Sequence, residues 1–155
     1  MDKIDKKILT ILQEDATLSV ADIADRVGLS ATPCWRRIQK LEAAGVVRGR
    51  VALLDPQRIN LGLTVLVLIR TNKHDRDWLE SFTRRTAAFP EVVEINRLAG
   101  DYDYVLRVVV SDIAAYDRFY KRLIGVSELS DVTSMFSMEQ IKYTTALPLD
   151  YVSAG

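Results

Sequence analysis

The 155-residue sequence holds only one cysteine, Cys34, and one histidine, His74. A single cysteine closes no intrachain disulfide. One Cys and one His do not make up the four-ligand set of a structural zinc site. Long hydrophobic runs are missing as well. The longest apolar stretch, near Leu61–Ile69, is interrupted by Gly62 and Thr64 and falls far short of the roughly 20 residues that span a bilayer. The opening Met1-Asp2-Lys3-Ile4-Asp5-Lys6-Lys7 has no apolar export core behind it. These absences predict no membrane partner and a reducing, cytoplasmic setting. The chain also lacks a P-loop and a G-x-G-x-x-G string. Cys34 and His74 fall in different predicted domains, Cys34 as a small buried apolar residue and His74 as a surface loop residue, so no nucleophile–base pair forms. An enzyme is not expected, and neither is a cofactor or metal.

The composition is that of an ordinary globular chain, with 48% hydrophobic and 27% charged residues. Net charge is zero, but its distribution is uneven. Between Ser30 and Arg50, five basic residues (Arg36, Arg37, Lys40, Arg48, Arg50) face one acid, Glu42. A local basic patch in a neutral protein suits an anionic partner.

Periodicity predicts three short helices first. Ile4, Ile8, Leu9, Ile11 and Leu12 make one apolar stripe over about Lys3 to Glu14. A second helix starts at Ser19, which stands at capping-box spacing from Asp22, and it ends at Gly28. The third begins within Ser30-Ala31-Thr32-Pro33. Thr32 serves as its N-cap with Pro33 at the first helical position, or Ser30 takes that role. Val46–Leu54, two apolar runs about Gly49, reads as a short hairpin. Asp55-Pro56 then breaks the pattern, so the predicted domains are 1–55 and 56–155. In the second, Leu63–Arg70, Val92–Leu98, Tyr102–Val110 and Val132–Leu147 read as strands. Asp75–Ala88 and a stretch capped by Asp112 read as helices. The order β-α-β-β-α-β is the ferredoxin-like pattern, so the whole is an α+β chain headed by a winged helix-turn-helix.

Two helices joined by the tight Gly28-Leu29-Ser30 turn, with a basic hairpin after them, form a DNA-reading unit whose second helix enters the major groove. Its predicted contacts are Ser30, Ala31, Thr32, Pro33, Trp35, Arg36, Arg37 and Lys40, with Arg48 and Arg50 tracking the neighbouring backbone or minor groove from the hairpin. Arginine reads guanine through paired hydrogen bonds. Lysine suits phosphate, which sets affinity and register rather than sequence preference. Trp35 divides between core packing and DNA contact. In the second domain the near-continuous apolar runs Leu63–Ile69 and Val105–Val110 read as strands buried on both faces, although two helices cover only one face. A sheet-to-sheet homodimer is the economical solution, and its two-fold axis suits a pseudo-palindromic double-stranded DNA site. Gly100-Asp101-Tyr102-Asp103-Tyr104 offers exposed amides for a carboxylate and carboxylates for an ammonium, the two ends of an α-amino acid. It is equally compatible with an ordinary turn and strand start.

Several separated strings carry a more specific likeness. They are Asp5-x-x-Ile8-Leu9-x-x-Leu12-Gln13-x-Asp15, Val27-Gly28-Leu29-Ser30, Arg37-Ile38-x-x-Leu41-Glu42-x-x-Gly45-Val46-Val47, Leu54-Asp55-Pro56, Gly100-Asp101-Tyr102-Asp103-Tyr104 and Met138-Glu139-Gln140-Ile141-Lys142. Together they resemble the Lrp/AsnC, or feast/famine, family of transcriptional regulators over nearly the whole chain. The resemblance implies that the second domain binds an amino-acid effector and builds the oligomer, a homodimer assembling to a tetramer or octamer. It places the effector near the glycine loop and the facing final strand, between dimers. Carried over, the candidate residues are Leu98, Gly100, Asp101, Tyr102, Asp103 and Tyr104, with Thr133, Ser134 and Met135 opposite. The family also includes DNA-wrapping members, so the alternative is an architectural protein that answers to no effector.

Overall fold

The computed structural model describes residues 1–73 and 75–152; His74 lies outside the described residues. The chain divides into two compact units. One joins Met1–Leu53 with the described part of the C-terminal stretch from Lys142, and the other is Leu54–Ile141.

The first unit is built on three helices, α1 (Lys3–Glu14), α2 (Val20–Val27) and α3 (Ala31–Ala43). Each of the first two opens on a reciprocal capping box, Asp2 with Asp5 and Ser19 with Asp22. Side-chain oxygens thereby take up amides that a helix start leaves without partners. Gly28 ends α2 at φ +75°, left-handed backbone that glycine adopts without a Cβ clash. This turn sends α3 back across the bundle. Ser30 is the N-cap of α3 by its backbone, although its side chain caps nothing. Thr32 is therefore not the cap but lies within the first turn. Pro33 follows it there, where a missing N–H costs no hydrogen bond. Ile8, Leu9, Ile23, Ala24, Val27, Cys34, Ile38 and Leu41 form the core between the helices.

The hairpin expected over Val46–Leu54 carries no strand pairing. Val51, Leu53 and Leu54 are largely exposed, and an unsupported two-stranded ribbon is at best marginal in water. The described part of the tail from Lys142, expected in the second domain, groups with the first unit. Gln13 donates from Nε2 to Leu147 O (3.2 Å) and accepts from Leu147 N (2.7 Å). Lys6 Nζ donates to Val152 O at 2.6 Å, and Leu149 packs against the three-helix core.

The second unit is the βαββαβ sheet. Its elements are β1 (Leu63–Arg70), α4 (Arg76–Ala87), β2 (Val92–Arg97), β3 (Tyr104–Val110), α5 (Ile113–Ile124) and β4 (Asp131–Phe136). The strand order is β2-β3-β1-β4 with every pair antiparallel. Alternate residues divide between the faces. Val65, Val67, Ile69, Leu106 and Val108 are fully buried with Phe82 of α4 and Phe119 of α5. Leu66 and Met135, on the other face, are 40% and 50% exposed. The last strand is shorter than the predicted Val132–Leu147. It pairs with β1 as far as Val65↔Phe136, and one further bond joins Ser137 N to Thr64 O (3.0 Å). There β1 runs out, and residues 138–147 have no strand to pair with. Among the described residues no helix is long and apolar enough to cross a membrane.

Candidate functional site

The core residues of α3 decide which of its residues face out. Cys34, Ile38 and Leu41 point inward, so the 3.6-residue period puts Arg36 and Lys40 on the opposite face. Ala31, Thr32, Pro33, Arg36, Gln39 and Lys40 are exposed, and Trp35 is half-exposed at 51%. The indole is thus available to a ligand rather than absorbed into the core. Ser30, at the cap, is exposed too. The amides of Ala31 and Thr32 have no acceptor among the described residues, so the start of α3 presents a partial positive charge together with unused donors. Burial pushes the Cys34 thiol above its ordinary pKa, which makes it a packing residue and not a nucleophile.

The five basic residues predicted to meet DNA do not form one set. Arg36, Lys40 and Arg48 make no ion pair among the described residues. Arg50 donates to Glu42 at 2.9 Å, which folds it back onto the end of α3. Arg37 has partners of its own at the start of α1. It is half-buried against α1, and its Nη1 donates to Asp2 Oδ2 at 2.6 Å and to Asp5 Oδ1 at 2.7 Å. The two carboxylates, Asp5 foremost, raise its pKa further. Sequence reasoning missed this pairing because Arg37 stands 35 and 32 positions from Asp2 and Asp5, a separation on which periodicity is silent.

The glycine loop is fastened at the end of the sheet between β2 and β3. Leu98 N donates to Asp103 O (2.8 Å) and Asp103 N to Ile69 O (2.9 Å). The Asp103 carboxylate accepts from Thr71 N at 2.8 Å. Arg70 Nε holds the carbonyl of Asp101 at 2.8 Å while its guanidinium lies 5.0 Å over the Tyr102 ring. The Tyr102 hydroxyl and Thr133 Oγ1 are 3.4 Å apart, so loop and last strand do meet. Leu98, Gly100 and Asp101 are exposed, and the Asp101 side chain enters no bond among the described residues.

Two predicted members of this set lie elsewhere. Tyr104 is buried against Phe82 at a ring-centroid distance of 5.0 Å, and burial raises the pKa of its phenol. Ser134 pairs across from Val67 and hydrogen-bonds the Tyr116 hydroxyl of α5. Both belong to the helix-covered face, because neighbours along a strand point to opposite sides. Thr133 and Met135 remain on the open face. Arg70 is the residue that sequence reasoning overlooked. Its only signal was a lone cation closing an apolar strand.

Comparison with known proteins fits both halves. A family model described as winged helix-turn-helix DNA-binding matches residues 1–48. One described as the Lrp/AsnC ligand binding domain matches residues 64–147. The DNA-binding transcriptional activator DecR of Escherichia coli K12 is 53% identical over 151 residues, covering 97% of this chain and 99% of its own. Among solved structures, an AsnC family transcriptional regulator from Agrobacterium tumefaciens superposes with a TM-score of 0.97 at 63% identity, covering 99% of this chain and 100% of that one. The transcriptional regulator NMB0573 of Neisseria meningitidis, solved as a complex with L-Met, gives 0.94 at 38% identity, with 99% of each chain covered.

Proposed function

This chain belongs to the Lrp/AsnC family of DNA-binding transcriptional regulators, a regulatory and not a catalytic family, and on that premise we propose how its own residues divide the work. The face of α3 that carries Trp35, Arg36, Gln39 and Lys40 enters the major groove of double-stranded DNA. Thr32 and the free amides at the start of the helix meet a phosphate. Arg36 is the base reader, since arginine matches guanine O6 and N7. Lys40 and Arg48 neutralise phosphates and set register. The observation that carries this reading is the exposed, unpaired pair Arg36 and Lys40 opposite a sealed core face.

The open face of the sheet is covered by a second copy, giving a cytoplasmic homodimer that presents two α3 helices about a two-fold axis. Its support is a face holding Leu66, Leu68, Val105, Val109 and Met135 around the Arg107–Glu94 ion pair, with Leu66 and Met135 left exposed in the single chain. Dimers associate further, to a tetramer or octamer, around the Gly100 loop. An amino acid binds there, with its ammonium on Asp101 and its carboxylate on loop amides. Tyr102, Thr133 and Met135 stand beside it, and Leu98, Gly100 and Asp103 shape the loop. The effector acts by binding two assembly states with different affinity, which changes the spacing of the DNA-reading helices.

The test is fluorescence anisotropy on DNA from upstream of the chain's own gene, against unrelated DNA at fixed salt, with each of the twenty amino acids added in turn. The expected result is selective binding shifted by one or a few amino acids, with the shift lost in Asp101→Ala while DNA binding stays. Weakly selective binding indifferent to every amino acid would establish the architectural alternative instead.

A further inference from the structure

The basic residue next to Arg36 on α3 has a different task. We propose that Arg37 is a positioning residue: bonded to the two carboxylates at the start of α1, it fixes the seating of the DNA-reading helix and does not itself touch DNA. This rests on α3 being that helix, as set out above.

The geometry divides each carboxylate between two tasks. Asp2 Oδ1 accepts from Ile4 N and Asp5 N, both at 2.9 Å, and Asp5 Oδ2 accepts from Asp2 N at 3.0 Å. These bonds close the capping box of α1 and leave one oxygen of each carboxylate turned outward. Those two oxygens, Asp2 Oδ2 and Asp5 Oδ1, are the ones that hold Arg37 Nη1 at 2.6 and 2.7 Å. The acceptors are thus oriented by backbone amides whether or not Arg37 is present. Such a preformed receiver imposes a position on what it binds. Asp2 is held in its charged form first by the Asp5 amide and next by Arg37.

The position imposed is the rotation of α3 about its own axis. Arg37 lies on the flank of the helix, between the buried Cys34–Ile38–Leu41 face and the outer Arg36–Lys40 face. The buried contacts are apolar and non-directional, and side chains of that kind tolerate small rotations. The paired ionic hydrogen bonds are directional. Swinging Arg36 and Lys40 away from the groove stretches both. As a phosphate contact, by contrast, Arg37 would have Nε and Nη2 to offer, but with two carboxylates held against its Nη1 that repel the phosphate.

The experiment uses the full-length protein and two duplexes, one selected by it from a random pool and one unrelated, titrated over a range of salt. Three variants are compared with the parent: Arg37→Gln, the double change Asp2→Asn/Asp5→Asn, and Arg36→Gln. Asparagine caps a helix about as well as aspartate, so the double variant removes charge while keeping the capping box. Positioning predicts that Arg37→Gln and the double variant each lower the ratio of selected to unrelated affinity about tenfold. The slope of log affinity against log salt stays as in the parent. Combining the two changes adds nothing further, because they break one interaction. Arg36→Gln, as a direct contact, lowers affinity together with specificity. The proposal is overturned if Arg37→Gln reduces the salt slope by about one, the mark of a lost phosphate contact. It is equally overturned if the double variant tightens binding to the selected duplex, or if neither change moves the ratio. Should the parent select no duplex at all, the reading of α3 falls, and this role with it.

Discussion

At the scale of single residues, charge and burial separate side chains that look alike in the sequence. Arg36, Arg37 and Arg50 lie within one basic stretch, yet among the described residues one has no ion pair, one is held by two aspartates and one by Glu42. Aromatic residues divide in the same way. Phe119 is fully buried in the second unit, with its ring edge-on to Phe89 at a centroid distance of 5.5 Å. Phe119→Ala should cost about 3–5 kcal/mol in urea unfolding, from lost burial together with the cavity left behind. The DNA-reading face of α3 is remote in sequence from this site, so DNA selectivity of the fraction that remains folded should not change. Much of this scale is legible without coordinates. The apolar stripes of α1, α2 and α3 identify Ile8, Ile23 and Ile38 as core, and Cys34 with them. The partner of each charge is not legible, because Arg37 and Asp2 are 35 positions apart and periodicity says nothing about that distance.

At the scale of elements, the helix starts carry the readable chemistry. Ser19 Oγ accepts from Asp22 N at 3.1 Å, and Ser19→Ala should lower stability by about 1 kcal/mol in thermal or urea melts. Ser19→Asn, which also caps, should lose far less. The aspartate caps add a dependence on acid. The Ala115 amide, and after it the Ser111 hydroxyl, hold the Asp112 carboxyl below the usual aspartate range, and Asp2 is lowered likewise. A carboxyl whose folded pKa is depressed stabilises the fold above its unfolded value and loses that contribution as pH falls through the folded one. Stability should therefore be flat near neutrality with respect to these groups and decline below about pH 4. Melts at pH 6 and pH 3 check this, and the decline should be smaller in Asp112→Asn, which keeps a cap but does not titrate. Element order and type follow the sequence closely. The two departures, the unpaired stretch after α3 and the early end of β4, share a cause. A strand exists only beside another strand, and the sequence of one segment does not say whether its neighbour continues.

At the scale of the whole molecule, the open sheet face is where the proposed dimer can be tested. Leu66 and Met135 pair across β1 and β4 and remain 40% and 50% exposed in the single chain. If a second copy covers them, Leu66→Lys should yield a folded monomer by sedimentation, because it would bury a second cation beside Arg107, the cross-strand partner of Leu66, at a cost greater than the contact returns. Its DNA affinity should fall steeply, since the two α3 helices would no longer bind as a linked pair. An unchanged oligomer in that variant would place the interface elsewhere.

The order of elements, the apolar faces and the ends of α2 are local properties. They follow from residue spacing at 3.6 or 2 and from the chemistry of Ser19, Asp22 and Gly28, so the sequence by itself determines them. Only the folded chain decides that Arg37 faces two aspartates, that Tyr104 and Ser134 point to the helices while Thr133 and Met135 do not, and that the tail returns to α1 through Gln13 and Lys6. Each of these depends on register between segments distant in sequence. A one-residue change in register turns a side chain to the opposite face of a sheet, and no local pattern records that choice.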